Sequence, residues 1–231
     1  MLGVIGGTVF FKKPLFGAER EDEIGTEHGK TLVHIGKNIA FIPRHGPTGQ
    51  IPAHNVNHKA NILALKKLGV REIIGVNSAG SLKPEIKPGS IAVPSDYMNF
   101  AGVQTFFDSQ AKHVTPALSE TLKNKLLDAA GKLGIQVIGS GTYFQSRGPR
   151  LETPAESAFL AEFADFVGMT LASEATLARE QEMEYAAICS IDNYANGISG
   201  AKPTHKRIVE SAGKNAEKIW KIIEAISEGK K

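Results

Sequence analysis

Short apolar runs alternate with longer amphipathic segments along the whole chain. The apolar runs predict strands at Leu2–Ile5, Thr31–Ile35, Ile39–Ile42, Glu72–Val76, Ser90–Val93, Gln136–Gln145, Phe166–Gly168 and Glu184–Ile191. Apolar residues at helical spacing predict helices at Val56–Leu68, Leu118–Leu133, Pro154–Phe163, Glu174–Glu182 and His205–Ile226. This alternation predicts an α/β fold with three layers, α/β/α, around a central mixed, largely parallel sheet.

The composition restricts the classes of protein to which the chain can belong. With 231 residues, 42% of them apolar, it can form one substantial core, and we expect a single domain spanning 1–231. A net charge of +3 allows an anionic small molecule but is far from the dense basic patches of a nucleic-acid binder. The lone cysteine suits a reducing compartment, and no signal peptide or run of about 18 apolar residues is visible. We therefore expect a cytoplasmic protein without a membrane span.

The stretch SRGPRLETPAES, Ser146–Ser157, is the most informative part of the chain. Thr153, Pro154 and Glu156 have the pattern of a capping box with proline at the first helical position, which predicts a helix start at Thr153. Glu156 is then occupied by the cap. Glu152 is left at a strand-to-helix junction, where α/β proteins bind their ligands, and a carboxylate there can accept a substrate N–H.

Polar and small residues follow the predicted strands at their carboxyl ends. Gly6-Gly7-Thr8 forms either an anion-binding nest of backbone N–H groups or an ordinary tight turn. Arg44 and His45 form either a phosphate-binding pair, with a charge-assisted bond from each, or a solvated basic turn. Because strand ends of an α/β sheet form the usual ligand crevice, we expect a set of these side chains to converge there: Thr8, Arg44, Ser78, Glu152, Thr170 and Asn193.

Other signatures are absent or favour structural roles. The chain has neither a Walker A loop nor a dinucleotide fingerprint. His54 and His58 have helical spacing, but without an obvious third ligand they favour a helix-entry face over a metal site. Met169 and Cys189, taken alone, are typical of core filling. Ser95–Pro116 has few periodic cues and is predicted to be a long functional loop.

Taken together, these segments resemble the trimeric purine nucleoside phosphorylases and the related methylthioadenosine phosphorylases. The resemblance extends from Gly3 to about Ala225. It is carried by GVIGGT, the RHG turn, VNSAGSL (Val76–Leu82), GPRLETPAES, ADFVGMT (Ala164–Thr170) with Ser173-Glu174, and the IDNY segment. The resemblance implies phosphorolysis, in which inorganic phosphate attacks C1′ of a purine nucleoside and releases the base and a pentose 1-phosphate. It also implies that neither a metal nor an organic cofactor is needed.

The resemblance implies roles for individual residues as well. Phosphate would be held by Thr8, Arg44, His45, Asn77, Ser78 and Thr170, and the base by Ala79, Gly80, Glu152 and Asn193. Glu152 and Asn193 would be the catalytic residues. The ribose and its 5′ group would be contacted by Met169, His205 and His113.

Glu152 and Asn193 favour a 6-oxopurine, hypoxanthine or guanine, as the base. The N1–H of these bases is a donor, whereas adenine presents a lone pair at N1, so a carboxylate attracts the first and repels the second. The resemblance also favours a 6-oxopurine. The methylthioadenosine branch has a serine and an aspartate at these two positions, and this chain differs from that branch at both. Ala195 also replaces a second acid of that branch.

The 5′ pocket leaves two substrate classes open. His205 opens the last predicted helix, where the nucleoside branch has a histidine, and this favours inosine and guanosine. The RHG turn, Pro52–Asn55 and His113 resemble the methylthio branch instead, so S-methyl-5′-thioinosine or methylthioadenosine is the alternative substrate. A non-catalytic purine-binding module is the alternative from a different functional class.

The expected partners are a purine nucleoside, phosphate and further copies of the chain, with no nucleic acid and no membrane. In the family that the chain resembles, a neighbouring subunit completes the 5′ pocket. Phe106, Phe107 and His113 would supply that contact, which predicts a homotrimer or a dimer of trimers. The alternative is that Ser95–Pro116 folds over its own core.

Overall fold

The computed structural model describes residues 1–10, 17–100, 102–200 and 202–229. Its strands are β1 (Leu2–Gly6), β2 (Arg20–Thr26), β3 (Gly29–Ile35), β4 (Ile39–Pro43), β5 (Glu72–Ser81), β6 (Ile91–Ala92), β7 (Asp96–Met98), β8 (Thr142–Gln145), β9 (Phe166–Gly168) and β10 (Glu184–Tyr194). Its α-helices are α1 (His58–Lys67), α2 (Glu120–Lys132), α3 (Pro154–Leu160), α4 (Leu171–Glu180) and α5 (His205–Glu228). Short 3-10 turns occupy Thr8–Phe10 and Ala53–Asn55.

The strands of the described ranges form one mixed sheet. Its order is β2-β3-β4-β1-β5-β9-β8-β7, with β10 beside β5 and β6 beside β10. β1 lies parallel between β4 and β5, and β5 lies parallel to β10 along its whole length. β2, β3 and β4 are antiparallel, and β9 runs antiparallel to the end of β5. The predicted mixed, largely parallel sheet is confirmed.

Helices cover both faces of this sheet. Residues alternate between faces along a strand, so Ile73 of β5 packs in the cluster that contains α1 and α4, whereas Ile74 packs in the cluster that contains α2 and α5. The predicted three-layer α/β/α arrangement is therefore confirmed. No helix in the part of the chain that the structure describes is long and apolar enough to cross a membrane.

The helix ends follow the local signals of the sequence. At the start of α3, Thr153 Oγ1 accepts from the N–H of Glu156, and the Glu156 carboxylate accepts from the N–H of Thr153, which confirms the capping box. Gly69 and Gly134 follow α1 and α2 with φ of 75° and 66°. Glycine adopts this left-handed conformation at little cost, so both helices end where the sequence predicts.

Several strand predictions are wrong in their bounds. Only the second half of the predicted strand Gln136–Gln145 is a strand, because Gly141, with φ of 122°, interrupts it. Ser95–Pro116 is not loop throughout, since its residues Asp96–Met98 pair with β8; Ala101 of this segment lies outside the described residues. β2 was not predicted because its sequence, REDEIGT, is polar and mostly exposed, as is typical of an edge strand.

Candidate active site

A cavity of about 350 Å³ opens where β1, β4, β5, β9 and β10 end. Its volume is in the range of small-molecule sites, which is about 300–1,000 Å³. Most of the predicted site residues line it: Thr8, Arg44, His45, Ser78, Ala79, Gly80, Glu152, Met169, Thr170, Asn193 and His205. Asn77 and His113 do not. The convergence at the strand ends is thus observed, while the ligand that each side chain binds stays a prediction.

Arg44 is buried, and its guanidinium is held from several sides. Nε and Nη2 donate to the two carboxylate oxygens of Glu174, with 2.9 Å between Nη2 and Oε2. Nη2 also donates to the carbonyl of Ile5 (3.0 Å) and Nη1 to that of Val76 (2.8 Å). These bonds leave one N–H on Nη1, which lies beside Gly7. Arg44 can therefore offer a ligand a single N–H and not two parallel ones.

Glu174, in the first turn of α4, is the partner that makes this buried arginine possible. Its carboxylate also accepts a hydrogen bond of 2.8 Å from the Tyr185 hydroxyl, and His58 Nδ1 lies 3.5 Å away. Burial alone would raise the pKa of Glu174, but the charge and hydrogen bonds of Arg44 outweigh burial and hold that pKa below its ordinary value. The guanidinium charge is therefore matched inside the protein before any ligand binds.

His45 lines the cavity as a neutral ring. Its Nδ1 lies 2.8 Å from the carbonyl oxygen of Ile51, which can only accept, so the proton is on Nδ1 and Nε2 is an acceptor. Burial, and then the charge of Arg44, lower the pKa of His45 to about 4. The charge-assisted bond expected from His45 does not fit a neutral ring near pH 7.

Asn77 supports the cavity wall without forming part of it. The residue is 1% exposed, and its Nδ2 donates to Thr170 Oγ1 over 2.9 Å. Because Thr170 Oγ1 accepts this bond, its own O–H can point toward another acceptor. The structure does not place the Asn77 side chain in the cavity wall; the side chain orients the Thr170 hydroxyl instead, and a role of Asn77 in holding phosphate stays a prediction.

Ser78, the next residue along β5, lines the cavity and contacts a buried acid behind it. Ser78 Oγ donates to Asp192 Oδ2 over 2.5 Å. Asp192 is the extra residue of a β-bulge, because the register of β5 and β10 shifts between Ile191 and Asn193. The bulge lets two consecutive residues, Asp192 and Asn193, reach different parts of the site.

Glu152 directly precedes Thr153, the cap residue of α3. It is 7% exposed and lines the cavity. Among the residues that the structure describes, its carboxylate has no hydrogen-bond partner; its backbone carbonyl accepts from Asn196 Nδ2 over 3.2 Å. Glu156, by contrast, is paired with Arg150 and the cap. As predicted, Glu156 is occupied by the helix cap, whereas the Glu152 carboxylate is not.

Asn193, near the end of β10, also lines the cavity. Its Nδ2 donates to the carbonyl of Tyr194 over 2.7 Å, and an amide nitrogen has a second N–H to offer. Gly80 faces it across the strand pair, and a Cβ at Gly80 would lie 3.1 Å from that Nδ2. The absence of a side chain at Gly80 therefore leaves room for the amide.

The residues expected at the 5′ end are only partly brought together. Met169 and His205 line the cavity, His205 as an exposed residue in the first turn of α5. His113 is exposed and lies outside the lining. Phe106 packs on the core of its own chain, where Glu180 accepts from its N–H over 2.6 Å. Whether His113 reaches a neighbouring subunit stays a prediction.

His54 and His58 do not form a shared site. His54 is in a 3-10 turn, whereas His58 is 2% exposed and faces Glu174. Within the described ranges, no group of three or more histidine, cysteine, aspartate or glutamate residues has the geometry to hold a metal ion.

Comparison with protein families shows to which family the chain belongs. The sequence profile of the phosphorylase superfamily matches residues 2–228. The chain belongs to this superfamily. The resemblance to the nucleoside phosphorylases is thereby confirmed, and with it the assignment of the chain as a pentose-transferring enzyme.

Superfamily members similar to this chain have two kinds of substrate in their names. A probable 6-oxopurine nucleoside phosphorylase of Archaeoglobus fulgidus is 42% identical over 97% of this chain and 94% of its own length. A probable S-methyl-5′-thioinosine phosphorylase of Methanothermobacter thermautotrophicus is 41% identical over 97% of this chain and 82% of its own. Among solved structures, methylthioadenosine phosphorylase of Schistosoma mansoni in complex with adenine superposes with a TM-score of 0.89, at 27% identity, over 98% of this chain and 90% of that one.

Three buried residues of this phosphorylase were not among the predicted site residues. They are Glu174, Tyr185 and Asp192. Glu174 and Asp192 contact the cavity residues Arg44 and Ser78 from behind, and Tyr185 donates to Glu174. Glu174 could have been found from the sequence. An arginine that is buried at the end of β4 needs a buried acid, and the segment LASEATLARE places Glu174 on a helix face that is otherwise apolar. Nothing comparable pointed to Asp192, because bulges leave no regular pattern.

Proposed function

We propose that this chain catalyses the phosphate-dependent cleavage of 6-oxopurine nucleosides, inosine and guanosine, to the free base and ribose 1-phosphate. The observation that carries the proposal is Glu152, a buried carboxylate at the cavity wall without a hydrogen-bond partner in the described part of the chain. A carboxylate without an internal partner is free to accept an N–H from a ligand. The N1–H of hypoxanthine or guanine is one, whereas adenine would place a lone pair against the carboxylate.

The geometry suits the chemistry of this reaction. A phosphate oxygen forms a bond to C1′ while the C1′–N9 bond breaks, and the electron pair of that bond leaves with the purine. Positive charge develops on the sugar and negative charge on the base. The Asn193 amide can donate to N7 of the departing purine while Glu152 holds N1–H, so the base is oriented as it accepts charge.

Other residues of the cavity lining offer donors for phosphate. Thr8 and Thr170 offer hydroxyl groups, and Arg44 offers its remaining Nη1–H; Ser78 lines the cavity beside them, with its proton donated to Asp192. Because phosphate is already a nucleophile, these groups need to position it and not to activate it. The proposed reaction therefore consumes inorganic phosphate as a co-substrate and needs neither a metal nor an organic cofactor.

S-methyl-5′-thioinosine is the second candidate substrate, because it has the same base and differs only at the 5′ group. The rim of the cavity presents both the His205 ring and the apolar side chain of Ile208. A 5′-hydroxyl can bond to the first, and a methylthio group can pack on the second. Relatives of similar identity are named for each of the two substrates, which supports the choice of this pair.

The test is a set of phosphorolysis rates measured side by side. Inosine, guanosine, adenosine, methylthioadenosine and methylthioinosine are each incubated with and without phosphate, before and after dialysis against a chelator. We expect phosphate-dependent release of hypoxanthine and guanine, unchanged by the chelator, and slow release of adenine. Base release without phosphate would identify a hydrolase. Tight binding without turnover of any substrate would identify a purine-binding module.

The assembly and location are part of the same proposal. We infer a homotrimer or a dimer of trimers in the cytoplasm. Phe159 and Phe163 support the assembly, because they are 61% and 58% exposed with ring centroids 5.5 Å apart, which is costly on a monomer surface. The free, buried thiol of Cys189 suits a reducing compartment. Sedimentation equilibrium gives the number of subunits.

A further inference from the structure

Asp192 is a buried acid that the proposed reaction does not use. It keeps 5% of its surface exposed and lies behind the wall of the cavity. Its Oδ2 accepts from Ser78 Oγ and its Oδ1 from Ser190 Oγ, each over 2.5 Å. Only Ser78 of these partners lines the cavity. Asp192 can therefore act on a ligand through the Ser78 hydroxyl.

The partners of Asp192 are fixed on the side away from the cavity. Asn215 of α5 donates through Nδ2 to Ser190 Oγ over 2.9 Å, and the same nitrogen lies 3.2 and 3.3 Å from the carbonyl oxygens of Gly89 and Ser90. Since Ser190 Oγ accepts from Asn215, its single proton goes to Asp192. On this side Asp192 can only accept.

Only the hydrogen bond between Asp192 and Ser78, on the cavity side, can reverse its direction. A hydroxyl has one proton. If Asp192 is ionised, Ser78 donates to it and presents only lone pairs to the cavity. If Asp192 carries a proton on Oδ2, it donates to Ser78, and the Ser78 O–H is free to donate to a ligand. The proton on Asp192 thus decides whether Ser78 offers a bound anion a donor or an acceptor.

The charges at this end of the cavity favour the protonated form when an anion binds. The guanidinium charge of Arg44 is matched by Glu174, and His45 is neutral near pH 7. An ionised Asp192 would therefore add an unmatched negative charge close to the anion. Protonation removes that charge and supplies a donor in the same step.

We propose that Asp192 is a positioning residue that takes up one proton when a dianion such as phosphate binds, and thereby turns the Ser78 hydroxyl toward the anion. The proton comes from solvent, adds to Oδ2, and no other bond forms or breaks. This inference rests on the proposed function, because it assumes that the anion bound beside Ser78 is phosphate.

The surroundings of Asp192 allow this change near neutral pH. Burial raises its pKa to about 7, although the hydrogen bonds from Ser190 and Ser78 favour the ionised form. The titratable group closest along β10 is the Cys189 thiol, whose pKa burial raises far above neutrality, so it stays uncharged. Arg44 acts on that thiol from the end of β4, whereas β5 and α5 present only the neutral Ser78 and Asn215.

The proton uptake has a defined consequence for affinity. A carboxyl with a pKa of about 7 is about one-tenth protonated at pH 8. If only the protonated form binds the dianion well, affinity should fall about tenfold between the acidic plateau and pH 8. Asp192→Asn mimics the protonated shape without titrating, so its affinity for the same anion should stay nearly constant over this range.

The experiment measures anion binding by calorimetry in two buffers with different ionisation enthalpies, which gives the number of protons taken up. Sulfate is the main probe, because it stays a dianion at about neutral pH and contributes no proton of its own. Phosphate is the second probe. At pH 8 we expect an uptake approaching one proton for the unaltered protein and close to none for Asp192→Asn. Asp128→Asn, which removes an exposed carboxyl from α2, should bind protons like the unaltered protein.

A further variant separates this role from a purely structural one. Ser190→Ala removes a hydrogen bond that favours the ionised form, so the midpoint of the pH profile for sulfate affinity should move to higher pH while binding is retained. This shift keeps the proposal testable even if Asp192→Asn fails to fold.

Two results would overturn the inference. Equal proton uptake by the unaltered protein and Asp192→Asn would show that the proton goes elsewhere. An unmoved midpoint in Ser190→Ala would show that Asp192 does not set the profile. If phosphate-dependent turnover of inosine is found alongside either result, the proposed function stands and only this inference fails. If neither anion binds at any pH, both proposals fail.

Discussion

Glu152→Gln is expected to make this protein a poorer catalyst while leaving its stability nearly unchanged. The substitution keeps the shape of the side chain and removes the charge of a residue that is 7% exposed and whose carboxylate has no hydrogen-bond partner in the described residues. In the complex, the carboxylate would accept N1–H of the base. A hydrogen bond to a charged group contributes about 1.5–3 kcal/mol. The kcat/KM for inosine should therefore fall about 10- to 150-fold.

The stability of the protein should change little. The Glu152 carboxylate lines an open cavity, so water can solvate it in the free protein. Substitutions that break no internal contact usually change the free energy of unfolding by about 0.5 kcal/mol or less. For a protein of this size that corresponds to a change in Tm of roughly 1–2 °C. Differential scanning calorimetry and initial-rate kinetics on the same preparation measure both effects.

Glu156→Gln is the matched control, four residues along the same segment. Glu156 accepts from the N–H of Thr153 and pairs with Arg150. Its substitution should lower Tm and leave the kcat/KM for inosine nearly unchanged. The reasoning would be refuted if Glu152→Gln lowered Tm like Glu156→Gln, because Glu152 would then have a structural partner. It would also be refuted by an unchanged kcat/KM for inosine in Glu152→Gln.

Three further substitutions test other parts of the site. His205→Val should lower the kcat/KM for inosine relative to methylthioinosine about fivefold, the effect of one hydrogen bond of about 1 kcal/mol; an unchanged ratio removes His205 from the 5′ site. Asn193→Asp should remain a poor adenosine phosphorylase, because Glu152 still repels N1 of adenine; efficient adenosine turnover would show that Glu152 is not decisive. Glu174→Gln leaves the buried Arg44 without its ionic partner and should cost about 3–5 kcal/mol in the free energy of unfolding; a loss below about 1 kcal/mol in urea titration would contradict that role.

The features that could be predicted from the sequence are those set by local patterns. The capping box at Thr153 and the glycines after α1 and α2 depend on residues a few positions apart, so they are readable without a structure. The strand-end positions of Thr8, Arg44 and Asn193 follow from the ends of apolar runs. Because parallel strands bring their carboxyl ends together, convergence on one cavity could be predicted as well.

The features that could not be predicted depend on distant contacts or on register. Arg44 and Glu174 are 130 residues apart in the chain, so the set of hydrogen bonds that leaves Arg44 one N–H for a ligand is visible only in three dimensions. Neighbouring residues on a strand point to opposite faces, so a motif that contains both Asn77 and Ser78 does not show which one faces the cavity. The bulge at Asp192 is also unpredictable from the sequence. One inserted residue changes which face of the sheet the following side chains point to, and it leaves no mark in the composition.

The bulge in β10 would couple the choice of base to the pH dependence of anion binding. Residues 192 and 193 are consecutive, yet Asp192 contacts Ser78 behind the cavity wall whereas Asn193 lines the cavity. An aspartate at 193 would bring a second carboxyl group next to Asp192 in the chain, and their titrations would be coupled. A second negative charge raises the pKa of a neighbouring carboxyl, so Asp192 would keep its proton to higher pH. A substitution at 193 that changes the base preference would therefore also shift the pH range over which the proposed site binds an anion.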